Sequence, residues 1–283
     1  MRQDDQHAGG VVRIRPNYVA GLAAVVWLLI IGVPLYALLN TALQPQSTYT
    51  DGGPVSLPST VTFENFVTVV QSGFPLYLWN TFLVAVLTVA IVLILGIPIS
   101  YAVVRGRGWL TRGVFRLFLL GLAIPSQAVI IPLFLVVNGL GLYDSLWGIV
   151  LPTAAFALPV SVLVLSGGMR DISVSLYEAM ALDGAHPARI LRELVIPLSR
   201  SSIATTCVFT ALQAWNGFLF PLIMTQSDET KVVTLGLYNF VSEYEANVPA
   251  LMAAVLMSAI PILVVYLFAR RSLVMGLMGA GGK

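Results

Sequence analysis

Six stretches of this sequence, residues 19–43, 78–104, 117–137, 146–166, 203–225 and 249–269, are apolar and contain no Asp, Glu, Lys, Arg or His. A helix that crosses a bilayer needs about 20 such residues, so each run has crossing length. The runs are continuous, whereas strands of a membrane barrel alternate apolar and polar positions, so they predict helices. Soluble chains carry about 25% charged residues. With 10% charged and 58% hydrophobic residues and a mean hydropathy of +0.89, this chain of 283 residues cannot clothe a water-facing globule. A net charge of +2 is no phosphate-binding field, so nucleic acid is not an expected partner, and one cysteine cannot close an internal disulfide. The expected class is an all-α membrane protein with six transmembrane helices and lipid around it.

The basic residues orient the six spans. Arg2, Arg13 and Arg15 precede the first span, and Arg105, Arg107, Arg112 and Arg116 follow the second. Arg170, Arg189, Arg192 and Arg200 follow the fourth, and Arg270, Arg271 and Lys283 follow the sixth. All these, 14 of the 15 Lys and Arg residues, fall on one side, and Lys231 falls on the other. The positive-inside rule makes the crowded side and both termini cytoplasmic. The first run is too long for a cleavable signal segment and lacks a small-residue cleavage site at 40–44, so it reads as a retained helix.

The layout is a cytoplasmic tail (1–18), a first transmembrane helix (19–43) and an extracytoplasmic loop (44–77). A core of five transmembrane helices (78–270) follows, with a long cytoplasmic loop (170–200) inside it, and then a cytoplasmic tail (271–283). Every span contains proline, and the backbone groups that proline frees in lipid must find partners in neighbouring helices or water. The external segment 226–248, with Asp228, Glu229, Glu243 and Glu245, has the composition of a solvated acidic loop.

The loop 170–200 is different, because it reads as helix. Ser175 and Glu178 have capping-box spacing, and the helix they begin runs to Asp183, roughly 12 Å. Gly184 stands where a helix stops and Pro187 where the next begins. The second helix extends to Val195 and is closed by Pro197. Glu178, Leu182 and Ala185 share one face. His186 reads as a helix-start residue, and Cys207 as packing.

These residues carry a family resemblance. Glu178-Ala179-Met180-Ala181-Leu182-Asp183-Gly184-Ala185, followed by Ile190, Val195-Ile196-Pro197 and Leu198, resembles the EAA loop of ABC importer permeases, at its place between the fourth and fifth spans. Thr62-Phe63-Glu64-Asn65-Phe66, Tyr101-Ala102, Ile131-Pro132-Leu133-Phe134, Asn138-Gly139-Leu140-Gly141-Leu142, Trp147-Gly148, Trp215-Asn216 and Phe220-Pro221-Leu222 look like the permeases of maltose-type sugar importers. Met180 departs from the usual alanine, and Ser201 from a frequent proline. The resemblance implies the type I ABC importer permease fold with a cytoplasmic coupling helix, in a bacterial inner membrane. It implies a second permease subunit, in a heterodimer, a dimer of cytoplasmic ABC ATPases and an extracytoplasmic substrate-binding protein. Glu178, Ala179, Met180, Leu182, Asp183, Gly184 and Ala185 then form the ATPase-coupling interface. No Gly-x-x-x-x-Gly-Lys-[Ser/Thr] phosphate loop occurs in the sequence. The chain is therefore expected to be no enzyme itself and to bind no cofactor or metal, with ATP and Mg held by the partner ATPase. Leu165-Ser166-Gly167-Gly168 copies the start of the ABC ATPase signature, but it ends a membrane span and reads as packing.

Polar side chains inside spans are candidates for a substrate pathway. Gln127, Gln213, Trp215 and Asn216 fit a sugar, with amides for hydroxyls and an aromatic face for the ring. The other reading of the amides is hydrogen bonding between helices. A secondary transporter driven by an ion gradient stays as the alternative, although it would place ionisable residues in its spans. An intramembrane enzyme would need a nucleophile–base pair or metal ligands at depth, and no histidine or carboxylate lies in any span.

Overall fold

The computed structural model describes residues 18–280 apart from 55, 57–59, 107 and 242–245, with backbone alone at 265–266 and 268–280. Arg2, Arg13, Arg15, Arg107, Lys283, Glu243 and Glu245 therefore lie outside the described residues. The described chain is helical, its one β-bridge joining Val241 and Ala246. In chain order the helices are α1 (Tyr18–Ala42), α2 (Gln46–Gly52), α3 (Glu64–Gln71), α4 (Phe74–Arg105), α5 (Trp109–Gly121), α6 (Ile130–Gly139) and α7 (Leu146–Arg170). There follow α8 (Val174–Leu182), α9 (Pro187–Ile190), α10 (Ile196–Leu198), α11 (Arg200–Trp215), α12 (Leu219–Met224), α13 (Val233–Gly236) and α14 (Val248–Ala280).

Every predicted span is occupied by helix, but two are not continuous. Helices α1, α4 and α7 are single helices long and apolar enough to cross a membrane. The third run breaks between α5 and the turn that leads into α6, where the axis bends by 95°. The break falls at Leu122–Pro125, and Pro125 fixes the extended backbone there (φ −71°, ψ 131°). The fifth run is α11 followed by α12, interrupted at Asn216–Phe218. Here the Asn216 amide Nδ2 donates to Leu212 O at 2.9 Å, and the Thr234 hydroxyl donates to Gly217 O at 2.7 Å. Proline alone did not mark these breaks, because Pro34, Pro98, Pro152, Pro159 and Pro261 all lie inside continuous helices.

With lipid on the outside, burial gives no hydrophobic sorting, and helices associate through close packing and polar contacts. The interior of α4, α7, α11 and α14 accordingly uses small residues: Ala85, Ala154, Ala157, Ala214, Ala253 and Ala254 are buried. A Cβ on Gly96 would stand 3.3 Å from Leu165 Cδ1, and one on Gly168 would collide with Ser202, so α7 meets α4 and α11 at backbone distance. The buried hydroxyls of Thr81, Thr153 and Ser161 donate to carbonyls one turn back in their own helices. Helix α1 stands outside this core. Its crossing stretch has no buried residue, and only Asn40, Thr41 and Ala42 at its end are covered. There Asn40 Nδ2 donates to Pro54 O and Ser56 O at 3.1 and 2.7 Å, and Asn65 Nδ2 to Ala42 O and Gln44 O at 2.8 Å each. The predicted loop 44–77 is thus partly helical (α2, α3) and pinned to the end of α1.

Candidate functional site: the helical hairpin between α7 and α11

After Arg170 the chain leaves α7, turns at Asp171–Ser173 and forms α8. The predicted capping box is not formed. Ser173 takes the position before the helix, Ser175 lies inside the first turn, and their hydroxyls bond each other at 2.8 Å. The far end of α8 follows the glycine. Gly184 has φ +75°, a conformation that costs an L-residue roughly 1–2 kcal/mol. Ala185 N–H reaches Met180 O at 2.9 Å and Gly184 N–H reaches Ala181 O at 3.1 Å, the paired bonds of a Schellman turn. Met180 and Ala185, the two positions such a turn brings together, are both partly buried against one cluster.

His186 then starts the next helix, its Nδ1 accepting from Arg189 N–H at 3.3 Å, with Pro187 in the first turn. Pro197 does not close this helix. The chain widens into a π-turn over Leu191–Val195 and continues through α10 to Ser199. Proline in an α-helix clashes with the carbonyl four residues back, here that of Glu193, and the wider turn makes room for the ring. At Ser199 the path bends by 77° into α11.

The hairpin has two unlike faces. Inward, Tyr177 and Ile190 join Leu165, Met169, Ile172 and Val195 in a buried cluster, with Ile97, Tyr101 and Val104 of α4 packed against it. Arg105, the last residue of α4, places its guanidinium carbon 4.3 Å from the centre of the Tyr177 ring, a cation–π contact worth about 0.5–2 kcal/mol. Burial pushes the Tyr177 phenol above its ordinary pKa of 10.0, so it is a neutral donor, and its hydroxyl reaches Met169 O at 3.4 Å. Outward, Glu178, Ala179, Leu182, Asp183 and Gly184 are exposed, and Leu182 is 88% exposed. A bare leucine at the tip of a braced helix offers an apolar knob to a partner.

Residues 93–274 match the family described as binding-protein-dependent transport system inner membrane component. The chain belongs to that family. This inner membrane component is 31% identical over 258 residues to a putative ABC transporter permease protein, ORF2, of Caldicellulosiruptor sp. (strain Rt8B.4), covering 91% of this chain and 94% of that one. It is also 31% identical over 254 residues to the trehalose transport system permease protein SugB of Mycobacterium tuberculosis (strain CDC 1551 / Oshkosh), covering 89% and 92%. In fold it resembles the crystal structure of a bacterial ABC transporter involved in the import of the acidic polysaccharide alginate, with a TM-score of 0.79 over 90% of this chain and 95% of that one, at 22% identity. The expected permease fold is therefore the observed one.

Three of the four pathway candidates lie together at the end of α11, and Gln127 is on the turn before α6. Gln127 is exposed in the turn that follows the α5 break, and Gln213 is exposed near the end of α11. Asn216 is exposed, and its Nδ2 donates to Leu212 O. Trp215 is buried at 8% exposure and lines an apolar cavity of about 620 Å³ with Phe82, Ala85, Cys207, Ala211 and Pro261. Leu165 lies against Gly96 of α4, Ser166 is buried and Gly168 abuts Ser202 of α11, so these three residues of the Leu165–Gly168 stretch serve packing.

The opposite end of this inner membrane component has a second polar assembly. Asp144, at φ +53°, accepts through Oδ1 from Gln226 N–H at 2.8 Å, Ser227 N–H at 3.0 Å, Ser227 Oγ at 3.1 Å and Thr230 Oγ1 at 2.6 Å. Led by the Gln226 amide, these donors hold its carboxyl well below the usual carboxylate range. Asn80 Nδ2 donates to Glu229 O and Lys231 O at 2.8 Å each, and Thr81 Oγ1 accepts from Val233 N–H at 2.8 Å. The stretch predicted as a solvated acidic loop is, from Gln226 to Phe240, a folded cap. The sequence reading missed Tyr177, Arg105, Asp144, Asn80 and Thr81. One signal was present: Asp144 is the lone acidic residue of the 138–145 turn.

Proposed function

We propose that this chain is one permease half of an ATP-driven importer for a sugar, and that α8 is the lever by which a separate ATPase moves it. The observation that carries the reading is the shape of the hairpin: a short helix with one anchored face and one bare face, ended by a glycine turn. Such a helix can enter a groove on a partner and pass on a push without bending. Glu178, Ala179, Leu182 and Asp183 form the docking face. Met180, Gly184 and Ala185 keep the helix end rigid. The α8 end is the cytoplasmic one, in keeping with the 14 basic residues assigned to that side, and both termini lie there.

Energy enters as ATP, with Mg, on the ATPase dimer. Substrate arrives from an extracytoplasmic binding protein at the end that carries the Asp144 cap, and a second permease, a different chain, completes the pathway. The relationship to a trehalose permease supports a sugar as cargo. Gln127, whose Oε1 accepts from Ser126 Oγ at 3.3 Å, and Gln213 are exposed beside the two breaks in the spans, where their amides can bond its hydroxyls.

The test is purification of the tagged chain from its native membrane in mild detergent, followed by identification of what accompanies it. An ABC ATPase, a second permease and an exported binding protein support the proposal. Recovery of the chain alone, with uptake that survives ATP depletion and collapses with an uncoupler, overturns it in favour of an ion-coupled carrier.

A further inference from the structure

A docked helix does no work unless something ties it to the spans that must move. Helix α8 is nine residues long, and Tyr177 is its one fully buried side chain. Tyr177 shares one buried cluster with Leu165 and Met169 of α7 and with Ile190 and Val195 of the second half of the hairpin; its hydroxyl reaches Met169 O, and the Arg105 guanidinium at the end of α4 lies over its ring. Arg105 makes no ion pair among the described residues, so the ring face is its recorded partner. Helix α4 is 32 residues long and runs unbroken from Phe74, which is buried in the apolar cluster beside the external cap, to Arg105. A displacement of α8 therefore has a direct, rigid line to the far end of the molecule.

We infer that Tyr177 and Arg105 are a positioning pair that makes the cytoplasmic end of α4 follow α8. The inference rests on the coupling role proposed for α8 and adds the residues through which that role reaches the membrane. Neither side chain touches ATP, cargo or the ATPase. Their part is mechanical: the aromatic face and the guanidinium keep one geometry, so α8 and α4 move as a body. A contact of this kind is separable from docking, because Tyr177 faces away from Glu178, Ala179 and Leu182, and from ATP hydrolysis, which occurs on another chain.

The experiment uses the whole importer in proteoliposomes. It compares Tyr177→Leu, which fills the site but has no ring, Arg105→Gln, the double variant, and Tyr177→Phe with Arg105→Lys as conservative controls. Three quantities are read: co-purification of the ATPase, ATP hydrolysis, and solute taken up per ATP hydrolysed. Tyr177→Leu and Arg105→Gln are expected to retain the ATPase and hydrolyse ATP at close to the normal rate, while uptake per ATP falls about tenfold. The double variant is expected to fall no further than either single change, as for residues that act as a unit. Tyr177→Phe and Arg105→Lys should keep at least half the normal ratio. Normal uptake per ATP in both Tyr177→Leu and Arg105→Gln overturns the inference, as does an additive loss in the double variant. If a disruptive variant fails to assemble, the conservative pair decides, and a tenfold loss of uptake per ATP in Tyr177→Phe, which keeps the ring, overturns the role given to the aromatic face. Glu178→Lys, run alongside, separates the two levels. If it abolishes uptake while the Tyr177 and Arg105 variants are normal, the pair is wrong and the coupling helix stands. If Glu178→Lys is itself normal, the coupling assignment fails.

Discussion

The two ends of the molecule hold their non-spanning segments by opposite means. At the α8 end the hairpin sits on an apolar cluster and one cation–π contact, and its bonds to the spans are few and weakly directional. At the other end, Gln226–Phe240 is stitched to α4 and to the 142–145 turn by directed hydrogen bonds that Asp144 and Thr81 accept and Asn80 donates. A packed apolar face with one cation–π stack carries a push from the hairpin to the end of α4 as a body, whereas a carboxylate that serves four donors fixes the local shape of the segment it holds. The comparison teaches a division of labour: a segment that can be displaced as a body, and a cap that keeps its shape.

The largest effect is expected at the movable end. Gly184→Pro removes both the +75° backbone angle and the N–H that closes the turn on Ala181 O. Transport and transport-linked ATP hydrolysis should vanish while the chain still inserts, as measured by uptake and phosphate release in proteoliposomes. Gly184→Ala keeps the N–H but strains the turn by about 1–2 kcal/mol, and should lower uptake by about five- to thirtyfold. Leu182→Asp comes next. Because the side chain is 88% exposed, thermal stability of the isolated permease should change by less than about 0.5 kcal/mol, whereas ATPase retention on a column should fall about tenfold or more, the loss of a contact at the heart of an interface.

At the fixed end, effects should appear in local order first. Asn80→Ala leaves two carbonyls without their shared donor, at a cost of about 1–3 kcal/mol, seen as a lower melting temperature in detergent. The smallest change is the response of the cap to acid. Asp144 ionises well below its reference value of 3.8, so its charged form is favoured by folding. Its stabilisation is complete above that reference value and is lost as pH falls below it. Amide exchange over 226–231, corrected for its intrinsic pH dependence, should be unchanged between pH 7 and 5 and faster below about pH 3. Acceleration already at pH 6 would mean the cap is held by something else.

The spans were legible because a bilayer imposes length and apolarity, and both are written along the chain. Their interruptions were not, since five of the prolines sit inside unbroken helices while the break at Asn216–Phe218 is set by the Asn216 amide and by Thr234, eighteen residues away from it in sequence. On the hairpin, Gly184 was readable because only glycine accepts that angle cheaply. Ser175 misled, because its capping spacing falls two residues after Ser173, which takes the end. Tyr177 gave no sign, because one tyrosine in a helix of nine residues has no repeated partner to mark it as buried, and Arg105 looked like one more inward-facing charge. Asp144 needed partners more than eighty residues distant.

The π-turn over Leu191–Val195 is a matter of counting. Successive residues of a helix are offset by about 100°, so shortening this turn by one residue would restore a regular helix while swinging the approach to Ser199, and with it the direction in which Thr206, Thr210 and Ala214 face, by about that angle. The number of residues between Ile190 and Ser199 therefore sets the direction of α11, whatever side chains stand there.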